Sequence, residues 1–190
     1  MPLDIRALLE ETGALLSGHF RLSSGLHSPN YVQCAKLLEL PMNARSIGAA
    51  LAGRIAEPVT RVVAPALGGV IIGYTVAEAL GQPFVFTERK DGAMTLRRGF
   101  AIGEGDRVVV VEDVVTTGKS TRETTAVIEQ LGGSVIAYAS ILNRSGKVNP
   151  FDRTYESLLA LDFETFEEAS CRLCAAGVAL DAPGSRFAGR

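Results

Sequence analysis

Four consecutive valines, Val108 to Val111, followed at once by Glu112 and Asp113, constrain this chain more than any other stretch. Successive side chains of a strand point to opposite faces. Valine at every position therefore requires both faces to be covered, which predicts a central strand of a parallel sheet with helices on each side. The flanking pattern agrees. From Pro41 onward the chain reads as a helix through Ile55, a strand Arg61 to Ala64, a glycine turn at Gly68-Gly69 and a helix Val70 to Leu80. A strand Phe84 to Thr87, a polar loop Glu88 to Phe100, a strand Arg107 to Glu112, a helix Thr121 to Leu131 and strands Val135 to Leu142 and Tyr155 to Leu161 follow. Strands alternating with helical periods define an α/β class.

The segment ahead of this series differs. Leu3 to Leu16 carries apolar residues at helical spacing, and Phe20 to Leu22 and Tyr31 to Cys34 are short β-prone pieces punctuated by Gly25 and Pro29. They predict an opening helix and a small hairpin-like hood, formed mainly by residues 1–40, on a single domain of 190 residues. The tail, residues 162–190, is acidic and then rich in Gly and Pro.

With 47% hydrophobic and 21% charged residues the chain has the composition of an ordinary globular protein. No apolar run approaches the roughly 18 residues of a membrane span. Asp4, Glu10 and Glu11 make the N-terminus unlike a signal peptide, so a cytoplasmic location is expected. A net charge of -2 argues against a broadly basic nucleic-acid surface, so any anion site must be local.

The chemistry concentrates in Val108 to Thr121. After the valine strand come two acids, then Thr116, Thr117, Gly118, Lys119 and Ser120 opening a helix. Backbone N–H groups and hydroxyls at a helix start form a cradle for a phosphate monoester. Ionised Glu112 and Asp113 accept hydrogen bonds and suit a vicinal diol, so a diol beside a phosphate points to a ribose phosphate. A nucleotide P-loop is excluded, because Asp113 stands where that motif needs its first glycine. A phospho-acceptor carboxylate site would leave the Thr-Thr-Gly-Lys-Ser cradle without a purpose.

This stretch, including Val114 and Val115, resembles the phosphoribosyl pyrophosphate signature of type I phosphoribosyltransferases. Other segments resemble the orotate phosphoribosyltransferases among them. The piece FRLSSGLHSPNYVQC is similar to that family's hood, where Ser24 and Gly25 would meet the pyrimidine edge. Ile141-Leu142-Asn143-Arg144 ends a strand where the family has an arginine for the orotate carboxylate. Ala64 to Gly69 matches its pyrophosphate loop, with Ala66, Leu67 and Gly68 offering amides, although a glycine turn that merely starts a helix fits the local sequence equally well. The basic stretch with Arg89, Lys90, Arg97 and Arg98 occupies the place of its mobile catalytic loop.

The resemblance implies transfer of a phosphoribosyl group to orotate, giving orotidine 5'-phosphate and pyrophosphate in de novo pyrimidine (UMP) biosynthesis. Asp113 and the four loop cations would be catalytic. Glu112, Asp113, Arg89 and residues 114–120 would hold phosphoribosyl pyrophosphate, and Thr116 would also touch orotate. Mg2+ would be held mainly by substrate and water, with no direct protein ligand. A homodimer with shared active sites is also implied. Some basic positions usual in the family are replaced, by Ser23 in the hood and Gly68 in the pyrophosphate loop. Transfer to another base, or a non-catalytic regulator that binds the sugar phosphate, therefore remains the alternative.

The three cysteines, an odd number without an export signal, are expected to be thiols. Cys171 and Cys174 are half of a zinc or redox motif with no second pair, which favours inert thiols, and His19 and His27 could join them only if folding brought them together.

Overall fold

The computed structural model describes residues 3–22 and 24–183. Its main sheet has six strands: β3 (Arg61–Pro65), β4 (Phe84–Lys90), β5 (Ala93–Leu96), β6 (Arg107–Val115), β7 (Ser134–Asn143) and β8 (Thr154–Ala160). Their order is β5-β4-β3-β6-β7-β8, and every pair is parallel except the antiparallel edge β4/β5. Helices α3 (Pro41–Ala52), α4 (Gly69–Leu80) and α5 (Lys119–Gln130) flank it.

The valine strand lies where its sequence demands. Val109 and Val111 enter one apolar cluster, with Ile47, Leu51, Ile72 and Val76 from α3 and α4. Val108 and Val110 enter the other, with Ile128 from α5 and Tyr138 from β7. All four valines are fully buried, and burying one such side chain contributes about 1.5–3 kcal/mol. Covering both faces is what holds β6, and the acids at its end, in place.

Two expectations change. The opening helix is shorter: α1 (Ile5–Glu11) is capped by the Asp4 carboxylate, which accepts from the Ala7 amide at 3.0 Å. Leu15 and Leu16 instead begin strand β1 (Leu15–Arg21), which pairs antiparallel with β2 (His27–Val32) to make the hood. The polar segment after Thr87 is also more ordered than a loop. It continues β4 to Lys90 and returns as β5, with Asp91 and Gly92 both at positive φ (52° and 84°) in a two-residue turn. A short helix α2 (Cys34–Leu37) leads from the hood into α3, and the tail contains a short 3-10 turn and helix α6 (Arg172–Ala175).

Candidate active site

β3 and β6 are neighbours, yet α4 leaves β3 toward one face and α5 leaves β6 toward the other. Such a switch point opens a crevice beyond the carboxyl ends of the strands, where ligands bind in open α/β sheets. A cavity of about 760 Å³ lies there, within the range of roughly 300–1,000 Å³ common for small-molecule sites. The hood forms one wall through Leu22, Ser24, Leu26 and Tyr31, and residues 112–121 form the floor and the opposite wall.

Residues 116–120 turn from β6 into α5. Gly118 holds the position before the helix at φ +69°, and a β-carbon there would lie 2.8 Å from the Phe151 ring. Both facts require glycine. Gly118 has no side chain to cap α5, and although the Lys119 amide donates to the Thr117 hydroxyl at 3.3 Å, the amides that follow it in the first turn stand uncapped by the N-cap residue beside the cavity. One unanticipated residue braces this turn: Arg122 donates to the Thr117 carbonyl at 2.6 Å and the Pro150 carbonyl at 2.8 Å, while lying over Phe151.

Glu112 and Asp113 sit at the end of β6 and line the cavity. Burial pushes the Glu112 carboxyl well above its usual range, and the neighbouring Asp113 carboxylate adds to this. Burial also raises Asp113, against the lowering effect of the Val114 amide, which donates to it at 2.8 Å. Among the described residues neither acid forms an ion pair with lysine or arginine. Two desolvated carboxylates without a cationic partner fit ribose hydroxyls, and their hard oxygens also fit Mg2+ carried by a bound substrate.

Arg144 follows β7, its amide donating to the Val115 carbonyl at 2.8 Å. The guanidinium stacks 4.3 Å from the Phe163 ring centroid and lines the same cavity. Its Nε is buried and has no hydrogen-bond partner among the described residues. Burial pulls its pKa down, although Tyr31, Cys34 and Asp162 act in the other direction. A cation held in place with a free donor is suited to a planar carboxylate.

The remaining predicted residues divide. Ser24 lines the cavity; Gly25, in the turn beside it, does not. Ala66, Leu67 and Gly68 lie outside the cavity lining, in a segment whose Ala66–Leu67 peptide is cis. They are nevertheless close to its acids: a β-carbon on Gly68 would come within 2.6 Å of Asp113 Oδ2. Arg89, Lys90, Arg97 and Arg98 do not line the cavity either. Arg89 pairs with Glu123, and Arg97 and Arg98 pair with Glu88 at 3.5 and 3.1 Å. The position of Ser23 falls outside the described residues. Tyr31, Asp162, Phe163 and Thr165 also line the cavity and carry no signal in the sequence that marks them as site residues.

Comparison with known proteins gives this geometry its family. The phosphoribosyl transferase domain matches residues 35–170, and the chain belongs to the phosphoribosyl transferase family. More particularly, it is 46% identical over 183 residues to the orotate phosphoribosyltransferase of Thermotoga maritima, covering 96% of this chain and 98% of that protein. The Thermotoga neapolitana protein of the same name is equally similar, 46% identical over the same shares. Among solved structures, the orotate phosphoribosyltransferase of Aeropyrum pernix superposes with a TM-score of 0.70 at 24% identity, covering 83% of this chain and 94% of that one. The adenine phosphoribosyltransferase of Leishmania donovani gives 0.61 at 22% identity over 83% and 82%, so the fold alone does not choose the base.

Proposed function

We propose that this chain is an orotate phosphoribosyltransferase that joins orotate to phosphoribosyl pyrophosphate, giving orotidine 5'-phosphate and pyrophosphate in de novo pyrimidine synthesis. The observation that carries the choice of base is Arg144, which lines the same cavity as the phosphate cradle and whose buried Nε has no hydrogen-bond partner among the described residues. The similarity over nearly the whole chain to proteins named for that reaction supports it.

In this reading the amides and hydroxyls of Thr116 to Ser120 bind the 5'-phosphate. Glu112 and Asp113 accept the ribose 2'- and 3'-hydroxyls, and the amides at Ala66 to Gly68, packed against Asp113, receive the pyrophosphate end. Arg144 holds the orotate carboxylate while the hood, through Ser24 and Tyr31, covers the ring. Departure of pyrophosphate builds positive charge at the anomeric carbon, which the two carboxylates below the ribose stabilise. Orotate is already an anion, so holding it in line supplies much of the remaining rate. Mg2+, bound chiefly by substrate oxygens and water, would neutralise charge on the leaving group.

Arg89 and Lys90 on the β4/β5 hairpin and Arg97 and Arg98 just after it do not line their own cavity, which supports a role in a neighbouring copy's site, as part of a homodimer. Their charge would then meet the departing pyrophosphate and exclude water.

The test is loss of orotate absorbance on mixing the protein with orotate, phosphoribosyl pyrophosphate and Mg2+, with Arg144→Ala in parallel. Turnover that the substitution abolishes supports the reading. No turnover by the intact protein, alongside retained phosphoribosyl pyrophosphate binding, overturns it in favour of another base or a regulator.

A further inference from the structure

The fold assembles four groups that the sequence leaves scattered. His19 lies at the irregularity in β1, His27 begins β2, and Cys171 and Cys174 flank and lie within α6. One ring nitrogen from each histidine and both sulfurs fall within 4.8 Å of one another. His19 Nε2 stands 3.0 Å from His27 Nδ1, 3.5 Å from Cys171 Sγ and 3.7 Å from Cys174 Sγ, and Cys174 Sγ is 3.3 Å from His27 Nδ1. A tetrahedral zinc with Zn–S of ~2.3 Å and Zn–N of ~2.05 Å has N–S edges of about 3.5 Å and an N–N edge of about 3.3 Å. The four edges measured above lie within about 0.3 Å of those lengths.

We infer that His19, His27, Cys171 and Cys174 form a structural zinc site that clips the C-terminal segment to the hood. This revises the expectation of inert thiols and meets the condition set for the histidines, that folding bring them together: both rings are buried, at 2% and 1% exposure.

Two further observations point the same way. His19 Nδ1 is 2.8 Å from the Val178 carbonyl oxygen, to which only a protonated Nδ1 can donate. In the neutral ring that leaves Nε2, the nitrogen facing the cluster, with a free lone pair, as in zinc sites whose ligand histidines donate to a backbone carbonyl. In addition, residues 162–183 have almost no core of their own: only Cys171 among them is buried. What else holds the segment to the hood is mainly backbone pairing, His27 with Phe166 and Arg21 and His19 with Asp181. A segment with so little apolar burial is where a metal contributes most to order. Four protein ligands complete the shell, so the site has no position for substrate. It acts on the reaction only indirectly, through the hood, whose Leu22, Ser24 and Tyr31 line the cavity, and through the clipped segment, whose Asp162, Phe163 and Thr165 line it too.

The measurement is the metal content of the full chain, purified without chelator and passed over chelating resin, for wild type, Cys171→Ser, Cys174→Ser and, as a thiol control outside the cluster, Cys34→Ala. We expect about one zinc per chain in wild type and the control, and less than about a tenth of that in either serine variant. Cobalt(II) added to the metal-stripped wild type should give the visible absorption of a tetrahedral thiolate site. Should a serine variant fail to fold, the wild-type metal content and the cobalt spectrum decide alone. Wild type with less than about a tenth of an equivalent of zinc and no tetrahedral cobalt spectrum overturns the proposal, and so does a mass two hydrogens low that maps to a Cys171–Cys174 disulfide. Because metal content is read without turnover, this result stands apart from the choice of reaction.

Discussion

Arg144 and Glu112 are both charged groups that the fold has partly stripped of water, and each invites a different test. For Arg144 the free donor and the Phe163 stack predict a specific loss. A hydrogen bond to a charged partner is worth about 1.5–3 kcal/mol, so Arg144→Ala should raise the KM for orotate by at least roughly tenfold while leaving that for phosphoribosyl pyrophosphate within about twofold. Steady-state kinetics with each substrate varied in turn check this, and equal changes in both constants would contradict it. Glu112 is held above its usual range by burial and then by Asp113. The folded chain therefore binds this proton more tightly than the unfolded chain. Its contribution to stability is present below the ordinary carboxyl range of about 4.3 and is lost as pH rises from there through the raised native value. Replacing it by the neutral isostere, Glu112→Gln, should make the melting temperature of the ligand-free protein fall less with rising pH than in wild type, while catalysis drops. Parallel slopes in calorimetry would show that the site stores no such cost. At this scale the sequence disclosed residues that belong to a pattern, the acid pair and the phosphate turn. It hid Arg122, and the adjacent Asp162 and Phe163, which come from two separate segments and acquire meaning only by where the chain brings them.

Elements were legible in proportion to how far local chemistry decided them. The valine strand could be placed because no arrangement other than a sheet covered on both faces buries four consecutive valines. The edge hairpin was read as a loop, although Lys90-Asp91-Gly92-Ala93 carries an Asp-Gly turn and β5 is only four residues long. Charge on β4 obscured the strand period there, because Glu88 lies inward against Arg97 and Arg98 instead of facing solvent alone. The opening helix was extended through Leu15 and Leu16 because their spacing suits a helix as well as a strand, and pairing with Tyr31 and Val32 decided between them. The turn into α5 carries a prediction of its own. In Gly118→Ala a β-carbon would be held at positive φ and pressed toward Phe151. Strain of this kind costs about 1–3 kcal/mol, so the melting temperature should fall by roughly 3–10 °C and the KM for phosphoribosyl pyrophosphate should rise. An unchanged melting temperature would mean that Phe151 moves aside freely and that the turn is not fixed by this contact.

At the scale of the molecule, one chain brings the turn of Thr116 to Ser120, the Glu112/Asp113 pair and Arg144 to a single cavity, yet the cations of the β4/β5 hairpin and of the residues just after it do not line that cavity. Such a separation would suit a site completed by a second copy, and it was beyond a sequence reading because it depends on where an edge hairpin lies relative to the cavity. If the hairpin serves the neighbouring site, two variants damaged in different parts, each nearly inactive when orotate is held well below its KM, should repair one another: Arg97→Ala/Arg98→Ala beside the hairpin and Arg144→Ala in the cavity. In a mixed dimer, one site then combines the intact cavity of the hairpin variant with the intact hairpin of the Arg144 variant, and the other site carries both lesions. Equal mixing by dissociation and reassociation makes half of the dimers mixed, so activity should recover to roughly a quarter of wild type, from two preparations that are each nearly inactive. Orotate consumption before and after mixing, with sedimentation confirming the dimer, measures this. Recovery on mixing requires sites built from two chains. Activity that stays at the sum of the two separate preparations, in a mixture shown to contain exchanged dimers, would confine each site to one chain and leave the hairpin cations to their partners Glu88 and Glu123.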